Sequence, residues 1–170
     1  MNSKIITYQP RLIPIKSGLD RGQQIEELSI VKKKKVLVGG CFDIFHIGHL
    51  TFLKEAKKHG EMLIVALESD EFIRKKKQRE PFHTQYERAE ILAACEIVDI
   101  VILLPFFTSS REYGELVDTI KPHVIAITEG DPHTNYKKQH AEKIGASVAT
   151  VTPKIPGHGS TAILTILNGS

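Results

Sequence analysis

The sequence predicts an α/β fold, a Rossmann-like doubly wound parallel sheet of about five strands with helices on both faces, in a single domain. Short apolar runs rich in β-branched residues alternate along the chain with longer segments that have helical patterning. The runs are almost continuously apolar, which is typical of strands covered on both faces, and parallel neighbours need helical crossovers. At 170 residues and 41% hydrophobic content, the chain can bury one such core, whereas it is short for two domains that each bury a core of their own.

The predicted elements alternate after an N-terminal segment. Residues 1–34 are predicted as an N-terminal extension, an extended lead-in followed by a short helix, and residues 35–170 as the α/β domain itself. The predicted strands are 35–38, 62–67, 98–104, 124–128 and 146–151. The predicted helices are 47–59, 71–77, 84–95, 111–120, 136–144 and 161–167.

The turn after the first predicted strand carries the strongest functional signal. It holds two histidines, His46 and His49, with Gly48 before the second, and a helical pattern follows at once. The first turn of a helix has unpaired N–H groups and the positive end of the helix dipole, so it is suited to binding phosphate. Imidazoles beside it add donors that can follow charge as it builds on phosphate oxygens. Gly48 leaves room for a ligand to approach the backbone.

This stretch resembles the signature of a known family. Residues 40–43, Gly-Cys-Phe-Asp, and residues 46–49, His-Ile-Gly-His, are similar to the motifs of the cytidylyltransferase-like nucleotidyltransferases. That family includes glycerol-3-phosphate and ethanolamine-phosphate cytidylyltransferases and the adenylyltransferase of ADP-heptose synthesis. The resemblance implies attack by a substrate phosphate oxygen on the α-phosphorus of a nucleoside triphosphate, with release of pyrophosphate.

The resemblance also implies roles for the residues of the two motifs. The histidines His46 and His49 are expected to contact the triphosphate and to stabilise the transition state. The other residues expected at the nucleotide and its phosphates are Gly40, Cys41, Phe42, Asp43 and Gly48. Mg²⁺ is the expected cofactor, bound through the phosphates of the nucleotide, because Mg²⁺ usually keeps waters and few protein ligands. No protein-held metal site is predicted.

A basic segment follows the second predicted strand. Its lysines Lys75, Lys76 and Lys77 are candidates, as a group, to hold the β- and γ-oxygens of a triphosphate. A lysine run is more often a solvated surface, but this one lies at the same sheet edge as the histidines and is similar to a lysine-bearing loop of the glycerol-phosphate branch. Arg88 matches the family arginine that opens the next helix, so the resemblance adds it to the nucleotide- and phosphate-binding residues.

The fourth predicted strand ends in Glu129, Gly130 and Asp131. This string is similar to a Gly-Asp of the family that borders the nucleobase pocket, so the three residues are expected there. On sequence alone, an acid between a glycine and a proline is most often a turn residue.

Ser160 and Thr161 stand directly before the last predicted helix, whose capped N-terminus is a second phosphate-binding surface. The segment departs from the family pattern at two positions. Lys154 stands where cytidylyltransferases of the glycerol type have arginine, and Gly159 where the first serine of a Ser-Thr-Thr string would be. The resemblance therefore leaves Ser160 and Thr161 as the hydroxyls expected at phosphate.

Composition and motif content weigh against other classes. A net charge of +3 is mild and suits a small anionic substrate, with no nucleic-acid partner predicted. Cys41 and Cys95 have no paired spacing, which indicates a reducing, cytoplasmic compartment and no zinc site. No signal peptide is visible, and the longest apolar run, 100–107, is too short for membrane insertion. A fragment of a class I aminoacyl-tRNA synthetase would share the histidine motif. The sequence has no KMSKS-like loop, which is the second signature of those enzymes, and it is too short for a tRNA-binding domain.

The acceptor is left open by the sequence. The Gly-Cys-Phe-Asp string, the Glu-Gly-Asp strand end and the C-terminal string resemble the heptose-phosphate adenylyltransferase branch, whereas the lysine-bearing loop resembles the glycerol-phosphate branch. The first expectation is ATP with a sugar phosphate such as heptose 1-phosphate. The alternative is a CTP-dependent enzyme for glycerol 3-phosphate or a phospho-alcohol, and a third class is a nucleotide-binding regulator without turnover. The resemblance leaves a homodimer open.

Overall fold

In the computed structural model, which describes residues 5–7, 28–153 and 163, the chain forms one six-stranded parallel sheet. The strands are β1 (Ile5–Thr7), β2 (Lys35–Gly40), β3 (Met62–Leu67), β4 (Ile100–Leu103), β5 (Val124–Thr128) and β6 (Ser147–Thr152). The helices are α1 (Ile47–Lys57), α2 (Asp70–Lys77), α3 (Gln85–Ala94), α4 (Ser110–Ile120) and α5 (Thr134–Lys143), and residues 28–30 are also helical. The predicted Rossmann-like α/β fold is confirmed.

The N-terminal segment adds a strand to the five that the sequence predicts. β1 pairs in parallel with β4, with Ile5 opposite Val101. The third predicted strand, 98–104, is shorter in the structure, because the chain turns before Ile100, with Val98 N donating to Cys95 O at 3.1 Å. The last predicted helix, 161–167, lies outside the described residues apart from Ile163, and the division of the chain at residue 34 stays a prediction.

The strand order places a topological switch point beside β2. Across the sheet the order is β1-β4-β3-β2-β5-β6, so β3 and β4 lie on one side of β2 and β5 and β6 lie on the other. In open α/β sheets, ligands bind outside the carboxyl ends of the strands at such a point. The ends of β2 and β5 are therefore where a site is expected.

Helices cover both faces of the sheet and define two apolar cores. On one face α1 and α3 bury residues such as Leu53 and Leu92 against β2, β3 and β4. On the other face α4 and α5 bury Leu116, Ile120 and Ala141. The helices are 8 to 11 residues long, and within the described part of the chain none is long and apolar enough to cross a membrane.

A buried lysine connects the segment before the sheet to its centre. Lys35, the first residue of β2, is 1% exposed. Its ammonium donates to the carbonyl oxygens of Leu28 at 2.7 Å and Ile120 at 2.9 Å. Burial, followed by the nearby Lys121, lowers the pKa of Lys35. The contacts hold the helical residues 28–30 and the end of α4 against the first predicted strand.

Candidate active site

The loop between β2 and α1, residues 41–46, is wound into an unusual backbone conformation. Phe42 and Ile44 have φ angles of 48° and 53°, a region that bulky and β-branched residues rarely adopt. Such strain persists only where surrounding contacts hold it, and it concentrates at functional sites. Together with the first residues of α1, we call residues 41–49 the histidine turn.

Asp43 holds the histidine turn to the segment that precedes α3. Its carboxylate, 1% exposed, accepts hydrogen bonds from Arg79 at 2.5 Å and from the backbone N–H groups of Phe82 and His83 at 3.1 Å each. Burial acts to raise the pKa of Asp43, but these hydrogen bonds outweigh it and the pKa lies below its ordinary value. Asp43 therefore orders the loop as a bound anion and has no spare proton affinity for general-base work.

The two histidines stack at the N-terminus of α1. Their ring centroids lie 3.8 Å apart, with 22° between the ring planes. His46 is the N-cap of α1, and its Nδ1 accepts the Gly48 N–H at 3.1 Å. A neutral imidazole that accepts at Nδ1 carries its proton on Nε2, so His46 presents a donor at Nε2.

His49 is held as a neutral imidazole. The rings of Phe42 and Phe45 lie 5.1 and 5.7 Å from its centroid. Burial, followed by the neighbouring His46, lowers the pKa of His49 to about 4. Its Nδ1 is buried and has no hydrogen-bond partner among the described residues. At neutral pH His49 is therefore uncharged and suited to donating a hydrogen bond.

Arg88 connects the residues that directly follow β2 and β3. It is 0% exposed and donates to the carbonyl oxygens of Cys41, His83 and Glu68. It also forms an ion pair with Asp70 at 2.8 Å. The predicted phosphate contact of Arg88 stays a prediction, while the observed contacts give this side chain a positioning role for the ends of β2 and β3.

A cavity of about 970 Å³ opens at the carboxyl ends of β2 to β5, on the side of α4 and α5. Its floor is apolar and includes Leu37, Phe107 and Leu116. The predicted site residues that line it are Gly40, Cys41, Lys76, Lys77, Glu129, Gly130 and Asp131. The cavity thus begins at the same strand end as the histidine turn and extends away from α1.

The structure separates the three lysines. Lys76 and Lys77 line the cavity. Lys75 instead pairs with Glu71 at 2.6 Å on the surface of α2, and its ammonium lies 4.7 Å from the centroid of the Phe106 ring. Lys76 and Lys77 are accordingly better placed than Lys75 to meet an anion in the cavity.

The end of β5 forms a tight turn on the rim of the cavity. Gly130 has a φ angle of 72°, which a residue without a side chain adopts at little cost. Asp131 pairs with Lys137 at 2.7 Å and accepts the His133 N–H at 2.7 Å. Asp131 therefore has the turn role that its sequence context favours, and its predicted place beside a nucleobase stays a prediction. Ser160 and Thr161 lie outside the described residues.

The cavity also holds an acid that sequence reasoning missed. Glu68 directly follows β3, is 7% exposed, and accepts the Tyr113 hydroxyl at 2.8 Å. Burial raises the pKa of Glu68 to about 7, although Tyr113 and the cations Lys137, Arg88 and Lys77 act in the other direction. The available signal was its position, since a polar residue directly after an apolar strand falls at the ligand-binding edge of a parallel sheet.

Cys41 borders the cavity but is not an activated nucleophile. Burial, followed by the charge of Glu68, raises the pKa of the Cys41 thiol to about 11. Thiols react as thiolates, so this cysteine stays protonated and unreactive at neutral pH. Cys41 and Cys95 are both free thiols.

Comparison with known proteins identifies the family. The model of the family described as "Cytidylyltransferase-like" matches residues 37–160. The chain belongs to this family. The suspected kinship with the cytidylyltransferase-like nucleotidyltransferases is confirmed, and with it the enzyme class to which the chain is related.

Two groups of curated relatives stand out. An FAD synthase of Thermococcus kodakarensis is 48% identical over 96 residues, which are 56% of this chain and 62% of that protein. An FAD synthase of Pyrococcus abyssi is 38% identical over 125 residues, covering 71% and 80%. The bifunctional protein HldE of Geobacter metallireducens is 36% identical over 135 residues, covering 78% of this chain and 26% of its own length. The chain thus spans under two thirds of the first FAD synthase and about a quarter of HldE.

Solved structures agree on the architecture. A lipopolysaccharide core biosynthesis protein of Thermoplasma volcanium superposes with a TM-score of 0.58 at 25% identity, covering 71% of this chain and 95% of that chain. A pantoate-beta-alanine ligase of Francisella tularensis superposes with a TM-score of 0.61 at 16% identity, covering 84% and 70%. At that identity the second likeness supports the fold alone.

Proposed function

We propose that this protein transfers AMP from ATP to the phosphate group of a small phosphomonoester and releases pyrophosphate. The observation that carries the proposal is the stacked pair His46 and His49, placed at the N-terminus of α1 beside the switch point of the sheet. Donors of this kind can stabilise negative charge that develops on phosphate oxygens, and they need no rearrangement as the reaction proceeds.

The reaction balances without a covalent enzyme intermediate. An oxygen of the acceptor phosphate attacks the α-phosphorus of ATP, and the bond from that phosphorus to the bridging oxygen breaks, so pyrophosphate leaves with the bonding electrons. The attacking phosphate is already an anion, and Asp43, engaged by Arg79, is not required as a base. The protonated thiol of Cys41 is likewise not required as a nucleophile.

The cations of the proposed site serve to bring two anions together. Lys76 and Lys77 would hold the leaving pyrophosphate or the acceptor phosphate where the cavity meets the end of β2. The family generally uses a divalent metal, and we propose Mg²⁺ bound mainly through the triphosphate. Among residues 28–153 there is no cluster of three His, Cys, Asp or Glu side chains that would hold such an ion.

Two acceptors are favoured, each by a specific observation. FAD consists of AMP joined to FMN through a phosphoanhydride, so an FAD synthase relative at 48% identity favours FMN with ATP. The large apolar-floored cavity also fits an aromatic acceptor. The longer alignment, 135 residues to HldE with its heptose-phosphate adenylyltransferase domain, favours a sugar phosphate such as heptose 1-phosphate. CTP with glycerol 3-phosphate and a regulator without turnover are the alternatives that an assay must separate.

The deciding experiment is pyrophosphate release with Mg²⁺, pairing ATP or CTP with FMN, heptose 1-phosphate, glycerol 3-phosphate or phosphoethanolamine. We expect release with ATP and one of the first two acceptors. Release only with CTP would replace the nucleotide in the proposal. Nucleotide binding without release for any pair would favour the regulator, and absence of nucleotide binding would contradict the proposal itself.

Oligomeric state and location are part of the same proposal. The family resemblance leaves a homodimer open, and a cytoplasmic location is predicted from two free thiols that form no disulfide with each other. Sedimentation of the purified protein and localisation of a tagged chain test the two statements separately.

A further inference from the structure

One carboxylate oxygen in the cavity has no use in the transfer of AMP as proposed. Oε1 of Glu68 accepts the Tyr113 hydroxyl at 2.8 Å, whereas Oε2 is buried and has no hydrogen-bond partner among the described residues. Glu68 lines the cavity and is held rigidly, because its backbone N–H donates to Gly40 O and its carbonyl accepts from Arg88. The side chain therefore offers an unoccupied acceptor at a defined point.

An imidazole on the same cavity shares this property. Nε2 of His140, on α5, is buried and has no hydrogen-bond partner in the described part of the chain. Its ring lies against α4 in space left by Gly114, where an added Cβ would lie 2.8 Å from both Cε1 and Nδ1 of the ring. The neighbour of Gly114 is Tyr113, so α4 supports both polar groups at adjacent positions.

A purely structural role does not explain these two atoms. Buried polar atoms in folded proteins are nearly always paired, and exceptions require an explanation. Here two exceptions, from the end of β3 and from α5, line one cavity whose floor is otherwise apolar. A missing ligand with a polar edge and an apolar body would satisfy both.

We propose that Glu68, positioned by Tyr113, and His140 bind the non-reacting end of the acceptor, and that this end is a planar heteroaromatic ring with an N–H donor at its edge. The inference rests on the proposed function, which makes the cavity the acceptor site. Oε2 of Glu68 accepts the ring N–H, Nε2 of His140 meets a neighbouring polar atom of the ring, and the apolar floor covers the ring faces.

The charge and polarity of the cavity favour this class over a sugar. Each hydroxyl of a bound sugar needs a partner, and burying one without a partner is costly. The cavity offers Glu68, Tyr113 and His140 beside apolar residues such as Leu37, Phe107 and Leu116, which suits a ring with apolar faces and one polar edge. Lys76 and Lys77 of α2 line the same cavity, where they can meet the phosphate of such an acceptor.

The test is binding of FMN and riboflavin at pH 8, where Glu68 is largely ionised, to the full chain and to Glu68→Gln, measured by quenching of flavin fluorescence. The substituted amide would keep an oxygen for Tyr113 and turn its NH₂ group toward the ring N–H, placing donor against donor. We expect Kd for both flavins to rise at least ~10-fold, because the ring and not the phosphate is affected. Glu115→Gln, the same charge change on the exposed side of α4, is the matched control and should leave both values unchanged.

Three readouts make the outcome decisive. The Kd for ATP of Glu68→Gln should match the parent and its melting temperature should not be lower than that of the parent, which separates a binding loss from a folding loss. Equal flavin Kd values for Glu68→Gln and the parent, or no flavin binding by the parent, would overturn the inference. In that case, pyrophosphate release by the parent with a sugar phosphate would still support the proposed function, although the inference about the acceptor ring would be wrong. Conversely, flavin binding that depends on Glu68 without any pyrophosphate release would leave the binding role intact and defeat the proposed reaction.

Discussion

The histidine turn and the cavity end, which consists of Glu68, Tyr113 and His140, are two polar regions at one edge of the sheet, and they are assembled differently along the chain. The histidine turn comes from nine consecutive residues, 41–49, whose polar groups are mostly engaged locally, such as His46 with Gly48. The cavity end comes from residues far apart in the chain, Glu68, Tyr113 and His140. Glu68 Oε2 and His140 Nε2, like His49 Nδ1 in the histidine turn, have no hydrogen-bond partner among the described residues.

The difference shows how reaction chemistry and acceptor choice are divided in this molecule. A contiguous turn keeps its geometry through its own caps and contacts, so the same short motif can work in many relatives. A pocket assembled from three elements changes with any one of them, so it suits discrimination between acceptors. The predictions below test this division in decreasing order of magnitude.

The first prediction concerns the histidine turn alone. His46→Ala or His49→Ala should lower kcat at least ~100-fold, the scale of losing one transition-state donor, with little change in the Kd of the acceptor. His59→Ala, at the opposite end of α1 and exposed, is the control and should keep parental turnover. Near-normal kcat in a folded His46 or His49 variant would refute the assigned role.

The second prediction concerns Glu68 in the cavity end and is tested by the pH dependence of the free energy of unfolding. The folded-state pKa of Glu68 is about 7, above the ordinary 4.5, so between these values the folded protein holds a proton that the unfolded chain has lost. The free energy of unfolding should therefore fall as pH rises from about 4.5 to 7. Between pH 5 and 8 the free energy of unfolding of Glu68→Gln should fall by about 2 kcal/mol less than that of the parent.

Urea unfolding of the parent and of Glu68→Gln at both pH values measures that difference. The groups that face Glu68 are the same in both proteins and are Cys41, Lys77, Arg88, Tyr113 and Lys137. Parallel pH profiles for the two proteins would contradict this prediction. They would mean that Glu68 is ionised in the folded state and that its neighbours offset the cost of burying its charge.

The third prediction asks which region the lysines serve. Lys76→Gln combined with Lys77→Gln should raise the Kd of a non-hydrolysable ATP analogue about 10-fold, because two cations near the phosphates are lost, with a smaller effect on the acceptor. Lys75→Gln, whose ammonium already pairs with Glu71, is the matched control. A larger change for the acceptor than for the nucleotide would assign the two lysines to the cavity end.

The mildest change that we predict comes from adding one methyl group. In Gly114→Ala the new Cβ would lie 2.8 Å from the His140 ring, which must move. We expect the Kd of FMN to rise about 3-fold while the melting temperature stays equal or increases, since alanine is the better helix former. Glu115→Ala, on the exposed side of α4, is the control and should leave the Kd of FMN unchanged. An unchanged Kd in Gly114→Ala would contradict the binding role of His140.

Much of the fold could be predicted from local patterning. Five strands and their order of alternation with helices follow from apolar runs, and capping residues such as Thr84 and Glu87 mark a helix start within the sequence itself. The pairing of β1 with β4 could not be predicted, because a three-residue strand has no periodicity and its partner lies about a hundred positions away.

The candidate site divides in the same way. The motif around His46 and His49 carries its chemistry in adjacent residues, so spacing alone indicates it. The run Lys75 to Lys77 has no such information, and only the packing of α2 decides that Lys76 and Lys77 reach the cavity while Lys75 faces Glu71. The sequence places Arg88 at the start of a helix, and only the tertiary structure buries it where two strand ends meet.

Residues that are neighbours in the chain were enough to indicate the family, the parallel sheet and the turn at which phosphate chemistry is expected, because each of these depends on local motifs and patterning. Packing between distant elements set the remainder. It brought Glu68 under Tyr113, placed His140 in the space beside Gly114, and enclosed both in an apolar cavity. Burial and unpaired hydrogen-bonding capacity arise only when such elements meet, and no local pattern records them.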